Sequence, residues 1–184
     1  MHPMRNDIRQ SKSHKQLGTY DPGSLVVRVA LPQDAEAVYD LVQDGIAATY
    51  PACYEPAMVH AFSSYHTREY VASDIALGKV RVLEADGSIL ATATLDGTYI
   101  TRVYVATDMR GHGLGSLIMD ALEEEAAVQT DRVFVEASAT AESFYLGRGY
   151  TLSHSENWHV EASDGFPAVT IVYKVLEKPV RRDV

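Results

Sequence analysis

Residues 103–117 read VYVATDMRGHGLGSL, in which Gly111, Gly113 and Gly115 alternate between an apolar strand-like run and an apolar helix-like run. Backbone without side chains, placed just before a helix, lets several N–H groups converge on an anion that the helix N-terminus already favours. A ligand carrying phosphate is therefore expected here, and spacing separates the kinds of phosphate loop. A Walker A loop ends in Gly-Lys-Ser/Thr because the lysine and hydroxyl engage phosphate and magnesium, whereas Gly115 is followed by Ser116 and Leu117. A dinucleotide fingerprint needs G-x-G-x-x-G, and this chain has G-x-G-x-G. Glu136 does lie near the distance at which that motif places its ribose-binding acid, so dinucleotide binding stays open as the poorer fit.

The loop must be held by the elements around it. Residues 25–30 form a β-branched run suited to a strand, and Pro32 opens a helical stretch in which Val38, Leu41, Val42 and Ile46 share one face. Residues 55–77 suit one broken helix or two short ones, with Thr67 as an N-cap and Gly78 as a stop. Three strands are expected over 80–84, 89–95 and 98–105, separated by Asp86-Gly87 and Asp96-Gly97, so the centre reads as an antiparallel meander. After the loop, Leu117, Ile118, Ala121, Leu122 and Ala126 make an apolar helical stripe opposite a charged Glu123–Glu125 run. A strand over 132–136, a short helix over 140–146 ending near Gly147 or Gly149, and a last strand over 168–176 complete the chain.

With 184 residues, 46% of them hydrophobic, one well-buried core is the expectation: an extension over 1–24, one domain over 25–178 and a tail over 179–184. A net charge of −9 opposes general attraction to nucleic acid or anionic membrane and suits a neutral or cationic second substrate. The lone Cys53 excludes an internal disulfide framework. No apolar run reaches membrane-span length and no signal-peptide core is evident, so a cytoplasmic protein is expected. The histidines, among them His2, His14, His60 and His66, lack metal-ligand spacing, and no metal is implied.

The segment Arg110-Gly111-His112-Gly113-Leu114-Gly115, following Val103-Tyr104-Val105, resembles the acetyl-CoA loop of the GCN5-related N-acetyltransferase (GNAT) superfamily. A second segment, with Ser138, Ala141, Phe144-Tyr145 and Gly149-Tyr150, resembles that superfamily's later strand and helix. The likeness runs from about residue 25 to 178 and implies an α/β fold with a central mixed, mainly antiparallel twisted sheet flanked by helices. It also implies transfer of acetyl from acetyl-CoA to a primary amine, in first place that of a small molecule, by direct attack in a ternary complex. Relatives are often dimers, which leaves homodimerisation open.

By that resemblance, Val103, Tyr104 and Val105 run beside the pantetheine arm, and Arg110 through Gly115 hold the pyrophosphate. Ser116 adds a hydroxyl, and Ser138 stands where relatives often have asparagine. The oxyanion donor is expected where the strand bulges, within 103–105. Tyr145 falls on the tyrosine that faces the CoA sulfur and is the candidate acid. Its ordinary pKa near 10 against a thiol near 8.5 makes that proton transfer uphill by roughly 2 kcal/mol, which positioning can accommodate.

Many relatives carry a glutamate in the preceding strand. The matching place here is Tyr99, with Ile100 and Thr101 beside it, and no carboxylate. Glu136 is the leading substitute base, ahead of Asp96, His154 and His159, and a water relay is an alternative. The missing carboxylate also keeps alive a non-enzymatic CoA or nucleotide sensor. Arg132 and Arg148 read as solvated charges and His112 as pointing to solvent. Tyr50, Tyr54, Tyr65, Tyr70, Trp158 and Phe166 could line an acceptor pocket or serve as core.

Overall fold

Alternating apolar residues along the central strands bury one set against each of two helical layers. The computed structural model describes Tyr20 and residues 22–180. Strand β1 (Val26–Val29) leads into α1 (Ala35–Thr49), α2 (Pro56–Tyr65) and α3 (Arg68–Ala76). The meander β2 (Val80–Ala85), β3 (Ser88–Asp96) and β4 (Tyr99–Val105) follows, then α4 (Leu114–Ala126), β5 (Arg132–Ala137), α5 (Glu142–Gly147), β6 (Thr151–Val160) and β7 (Val169–Pro179). The seven strands form one sheet in the order β1-β2-β3-β4-β5-β7-β6, antiparallel except for the β4–β5 pair. Val38 of α1 and Val71 and Ile75 of α3 pack on Val80 and Val82 from one face. On the other face, Leu114, Ile118, Met119 and Leu122 of α4 join Leu83, Ile100, Val133 and Leu176.

The helix signals hold at the level of single atoms. Thr67 Oγ1 accepts the Tyr70 N–H at 3.1 Å, so 55–77 divides into two helices with a capped start for the second. Asp86 and Gly87 both take positive φ, 49° and 74°, as the two central residues of the β2–β3 hairpin. In the next hairpin Asp96 pairs with Tyr99, which makes Gly97 and Thr98 the loop and moves the turn one residue beyond its expected place.

Other expectations are corrected. No strand is expected over 151–160, yet β6 pairs with β7 along its length; its polar side chains stay mostly exposed because it is an edge strand with little to bury. Leu117 is exposed rather than part of the buried stripe, and Glu123 is buried rather than on the solvated face. Most of the expected extension lies outside the described residues, but Tyr20 packs on the main core. At the other end β7 runs to Pro179 and Val180 is buried, its N–H bonded to the Asp131 carbonyl at 2.9 Å.

Candidate active site

The sheet opens at its centre. β4 and β5 pair only at Tyr99–Phe134 and Ile100–Val135, so from Thr101 to Val105 the β5-facing edge of β4 has no strand partner among the described residues. On its other edge β4 carries a bulge. Thr92 pairs with Tyr104 and Thr94 with Thr101, which leaves Arg102 and Val103 together opposite Ala93. Arg102 takes φ 52°, a left-handed conformation rare for a side chain of this size. The expected oxyanion stretch, 103–105, thus begins within this bulge.

Two cavities meet at the opening and share Tyr50, Val103, Tyr104, Ser138, Ala141 and Tyr145. The first, about 430 Å³, runs along Val105 to the glycine loop and takes in Arg110, Gly111, Gly113, Gly115 and Ser116. Gly111 and Gly113 adopt φ 79° and 80°, and a Cβ at either would meet nothing within 4 Å. Glycine is needed there for backbone direction rather than for space. Gly113 is the N-cap of α4, so the groove ends on the first-turn N–H groups of a thirteen-residue helix.

Gly115 lies inside that helix rather than in the loop, and its open face is covered by Phe144 and Val105. Arg110 borders the groove with no ion-pair partner among the described residues. His112 is exposed, as expected: its Nδ1 lies 3.0 Å from the Arg110 carbonyl and 3.3 Å from that of Met109, so the ring braces the loop from outside and does not line the groove. These open donors, a partner-free arginine and a strand edge without a neighbour fit a long ligand with phosphate at one end and hydrogen-bonding amides along its length.

The second cavity, about 350 Å³, lies on the other side of the shared residues and holds Glu136, Thr101, Arg102 and His66. Tyr145 is 5% exposed, edge-on to Tyr150 at 5.6 Å, and burial pushes its phenol above the ordinary range. Its hydroxyl has no protein hydrogen-bond partner among the described residues, yet no buried side-chain oxygen there is orphaned, so it opens to the cavities. Glu136 stands at the mouth, accessible to solvent. Partial desolvation, and secondarily Glu156, raise its carboxyl pKa above the usual carboxylate range. Ser138 Oγ lies 2.9 Å from Thr140 Oγ1, and the adjoining Ala139 N–H donates to Tyr54 Oη at 2.7 Å, which ties this turn to the α1–α2 connection.

The remaining candidates lie elsewhere. Asp96 pairs with Lys79 at 2.7 Å in the distal hairpin, and His154 and His159 sit exposed on β6 beside Glu156 and Thr170. Arg132 pairs with Glu177 at 2.6 Å and stays exposed, a solvated charge as expected, whereas Arg148 pairs with Asp120 and Glu123 and is largely covered. Of the six aromatics, Tyr50 is core and cavity wall together, its hydroxyl 3.0 Å from that of Tyr104. Phe166 stacks on His60 outside this cavity.

Unforeseen is the buried set beneath the cavity. Arg102 Nη2 donates to Asp74 at 2.8 Å with both side chains nearly inaccessible, and Arg102 Nε faces His66 Nδ1 at 3.4 Å. Burial, reinforced by that guanidinium, lowers the His66 pKa to about 3 and keeps the ring neutral. Nothing in the local sequence marks these three, since their partners come from distant elements. No group of His, Cys, Asp and Glu among the described residues is arranged to hold a metal. None of the described helices is long and apolar enough to cross a membrane.

Comparison with known proteins gives the same architecture. A family model described as acetyltransferase (GNAT) domain matches residues 29–169. A GCN5-related N-acetyltransferase from Rhodopseudomonas palustris is similar in structure with a TM-score of 0.75 at 22% identity, over 88% of this chain and 98% of that one. The PaiA N-acetyltransferase of Thermoplasma acidophilum, solved in complex with coenzyme A, gives 0.63 at 13% identity over 85% and 99%. The ribosomal-protein-S18-alanine N-acetyltransferase of Escherichia coli gives 0.59 at 15% over 87% and 96%. No curated protein matches by sequence.

Proposed function

The chain belongs to the GNAT acetyltransferase family, and we propose that it moves acetyl from acetyl-CoA to the primary amine of a small molecule by direct attack within a ternary complex. The observation that carries this reading is the junction of two cavities at one set of residues: a donor groove ending on a helix N-terminus meets a second chamber at Val103, Tyr104, Ser138 and Tyr145. Acetyl-CoA, when bound, supplies an activated thioester. The glycine loop, Arg110 and Ser116 hold its phosphates, and the unpaired edge of β4 holds the pantetheine amides, so the acyl end reaches the shared residues.

Glu136 takes a proton from the acceptor ammonium. Desolvation raises its pKa and makes it a stronger base than an ordinary carboxylate. Backbone N–H groups of the bulged strand at 103–105 stabilise the carbonyl oxygen as charge develops on it. Tyr145 returns a proton to the departing sulfur. Burial makes its phenol a weaker acid, and desolvation of a thiolate beside it raises the proton affinity of the sulfur in the same direction. The experiment is titration calorimetry with CoA, followed by thiol release from acetyl-CoA over a panel of amines. Binding with turnover supports the reading, binding without turnover for any amine favours a sensor, and stabilisation by NAD but not CoA overturns it.

A further inference from the structure

The second cavity carries information about the acceptor itself. Tyr65 stands edge-on to Trp158 at 5.2 Å and to Tyr70 at 5.3 Å, Phe62 is edge-on to Trp158 at 5.6 Å, and Tyr173 joins the lining from β7. These rings are not all used up in the core: Tyr65 is 50% exposed and Tyr70 37% exposed. Large aromatic faces left uncovered around a concave site are surface that a ligand would bury.

Charge narrows the ligand further. The lining holds one carboxyl group, Glu136, and one guanidinium, Arg102, and His66 is held neutral. Arg102 is already matched. Asp74 takes its Nη2 at 2.8 Å, Thr94 and His66 lie at 3.4 Å, and the Tyr70 ring covers the guanidinium at 4.5 Å. Glu136 has no hydrogen-bond or ion-pair partner among the described residues, and the charge that acts on its carboxyl is a second carboxylate, Glu156. The chamber therefore offers π faces and one unmatched negative charge, with no unmatched positive one. A ligand carboxylate would be desolvated without a partner, and so would a second or third ammonium group.

Resting on the acetyl-transfer reading above, we propose that the acceptor is an arylalkyl monoamine, a primary amine joined by a short linker to an aromatic ring and bearing no carboxylate. Its ring packs among Tyr65, Tyr70 and Trp158, and its ammonium lies toward Glu136. In the reaction the ammonium loses a proton through Glu136 and its nitrogen bonds to the acetyl carbon. The carbon–sulfur bond breaks with its electron pair on sulfur, and Tyr145 protonates that sulfur. Amide, free CoA thiol and one proton released to solvent balance the amine cation and the thioester.

Trp158 is the sole tryptophan of the chain and lines this chamber, so its fluorescence reports occupancy without any turnover. The full-length protein is titrated with 2-phenylethylamine, phenylalanine and spermidine with CoA present, and thiol release from acetyl-CoA is followed for the same three. The expected result is a saturable change in Trp158 emission with 2-phenylethylamine, at least about tenfold weaker apparent affinity for the other two, and the same order in kcat/KM. Tyr65→Ala is expected to raise KM for 2-phenylethylamine by about tenfold; because the residue is half exposed, calorimetric CoA affinity serves as the folding control. Equal or stronger response and turnover with phenylalanine or spermidine overturns the proposal while leaving acetyl transfer in place. Absence of both CoA binding and thiol release with every amine overturns acetyl transfer itself, and the proposed acceptor with it.

Discussion

His66 gives a sharp quantitative test of the buried set beneath the acceptor cavity. Its carbonyl accepts from Gln43 Nε2 at 3.0 Å, its Nδ1 faces Arg102, and its ring is edge-on to Tyr65 and Tyr104. Burial first and the neighbouring guanidinium second depress its pKa from 6.5 to about 3. The unfolded chain therefore takes up a proton near pH 6.5 that the native state refuses until near pH 3. Across that window the unfolded state binds more protons, so stability rises with pH; the contribution is complete above 6.5 and is lost as pH falls toward 3. Between about pH 7.5 and about pH 5 the loss is about 2 kcal/mol, at 1.36 kcal/mol for each unit below the unfolded pKa.

Urea unfolding of the wild type and of His66→Gln at both pH values isolates this term, because every other titratable group, Glu136 included, is common to both proteins. Glutamine still offers Arg102 an acceptor but cannot take up the proton. The wild type is expected to lose about 2 kcal/mol more than the variant on acidification. Equal losses, or a ring that titrates near 6.5 by NMR in the folded protein, would refute the reasoning.

Three further outcomes follow from the site. Tyr145→Phe keeps the ring packed on Tyr150 and removes only the hydroxyl, so CoA affinity should hold while kcat falls by about 10²-fold or more; unchanged turnover would remove the acid role. The acid limb of the kcat/KM profile should have its midpoint above the ordinary carboxylate range, with rate lost as pH falls and Glu136 is protonated, and stopped-assay profiles of Glu136→Gln should lack that limb. Gly45→Ala would improve helix propensity by about 1 kcal/mol, but the new methyl stands 2.5 Å from Cδ1 of Tyr104, a ring held by Tyr50 and lining both cavities. A net loss of about 1–2 kcal/mol in urea unfolding, with weakened CoA binding by calorimetry, is expected.

Much of the fold was legible because its signals are local. The Asp86-Gly87 turn, the Thr67 cap and the apolar face of α1 are each settled by residues a few positions apart, and all three stand in the structure. The misses share a cause. β6 is mostly polar, with few apolar residues to mark it, and exists because β7 supplies its hydrogen-bond ladder, a partner the sequence of 151–160 cannot announce. Glu123 sits in a run that reads as a solvated helix face. It is buried because Tyr150 Oη at 3.0 Å, Arg148 Nη2 at 3.0 Å and Lys178 Nζ at 2.6 Å converge on it from elements 25 to 55 residues away.

The same division runs through the site. The glycine loop proposed to cradle phosphate is made of backbone, so its requirements are written in consecutive residues: glycine where φ must be near +80°, and a helix that starts at the next position. An acceptor chamber is made of side chains from separate elements, and its character depends on which charges have been cancelled. Arg102 read in isolation is a cation in a strand. Only beside Asp74 of α3, with Tyr70 covering it, is its charge matched within the floor, which leaves Glu136 as the unpaired ionisable group of the proposed chamber. The proposed donor site is therefore open to motif reasoning, whereas the proposed acceptor site rests on the tertiary pairing of charges.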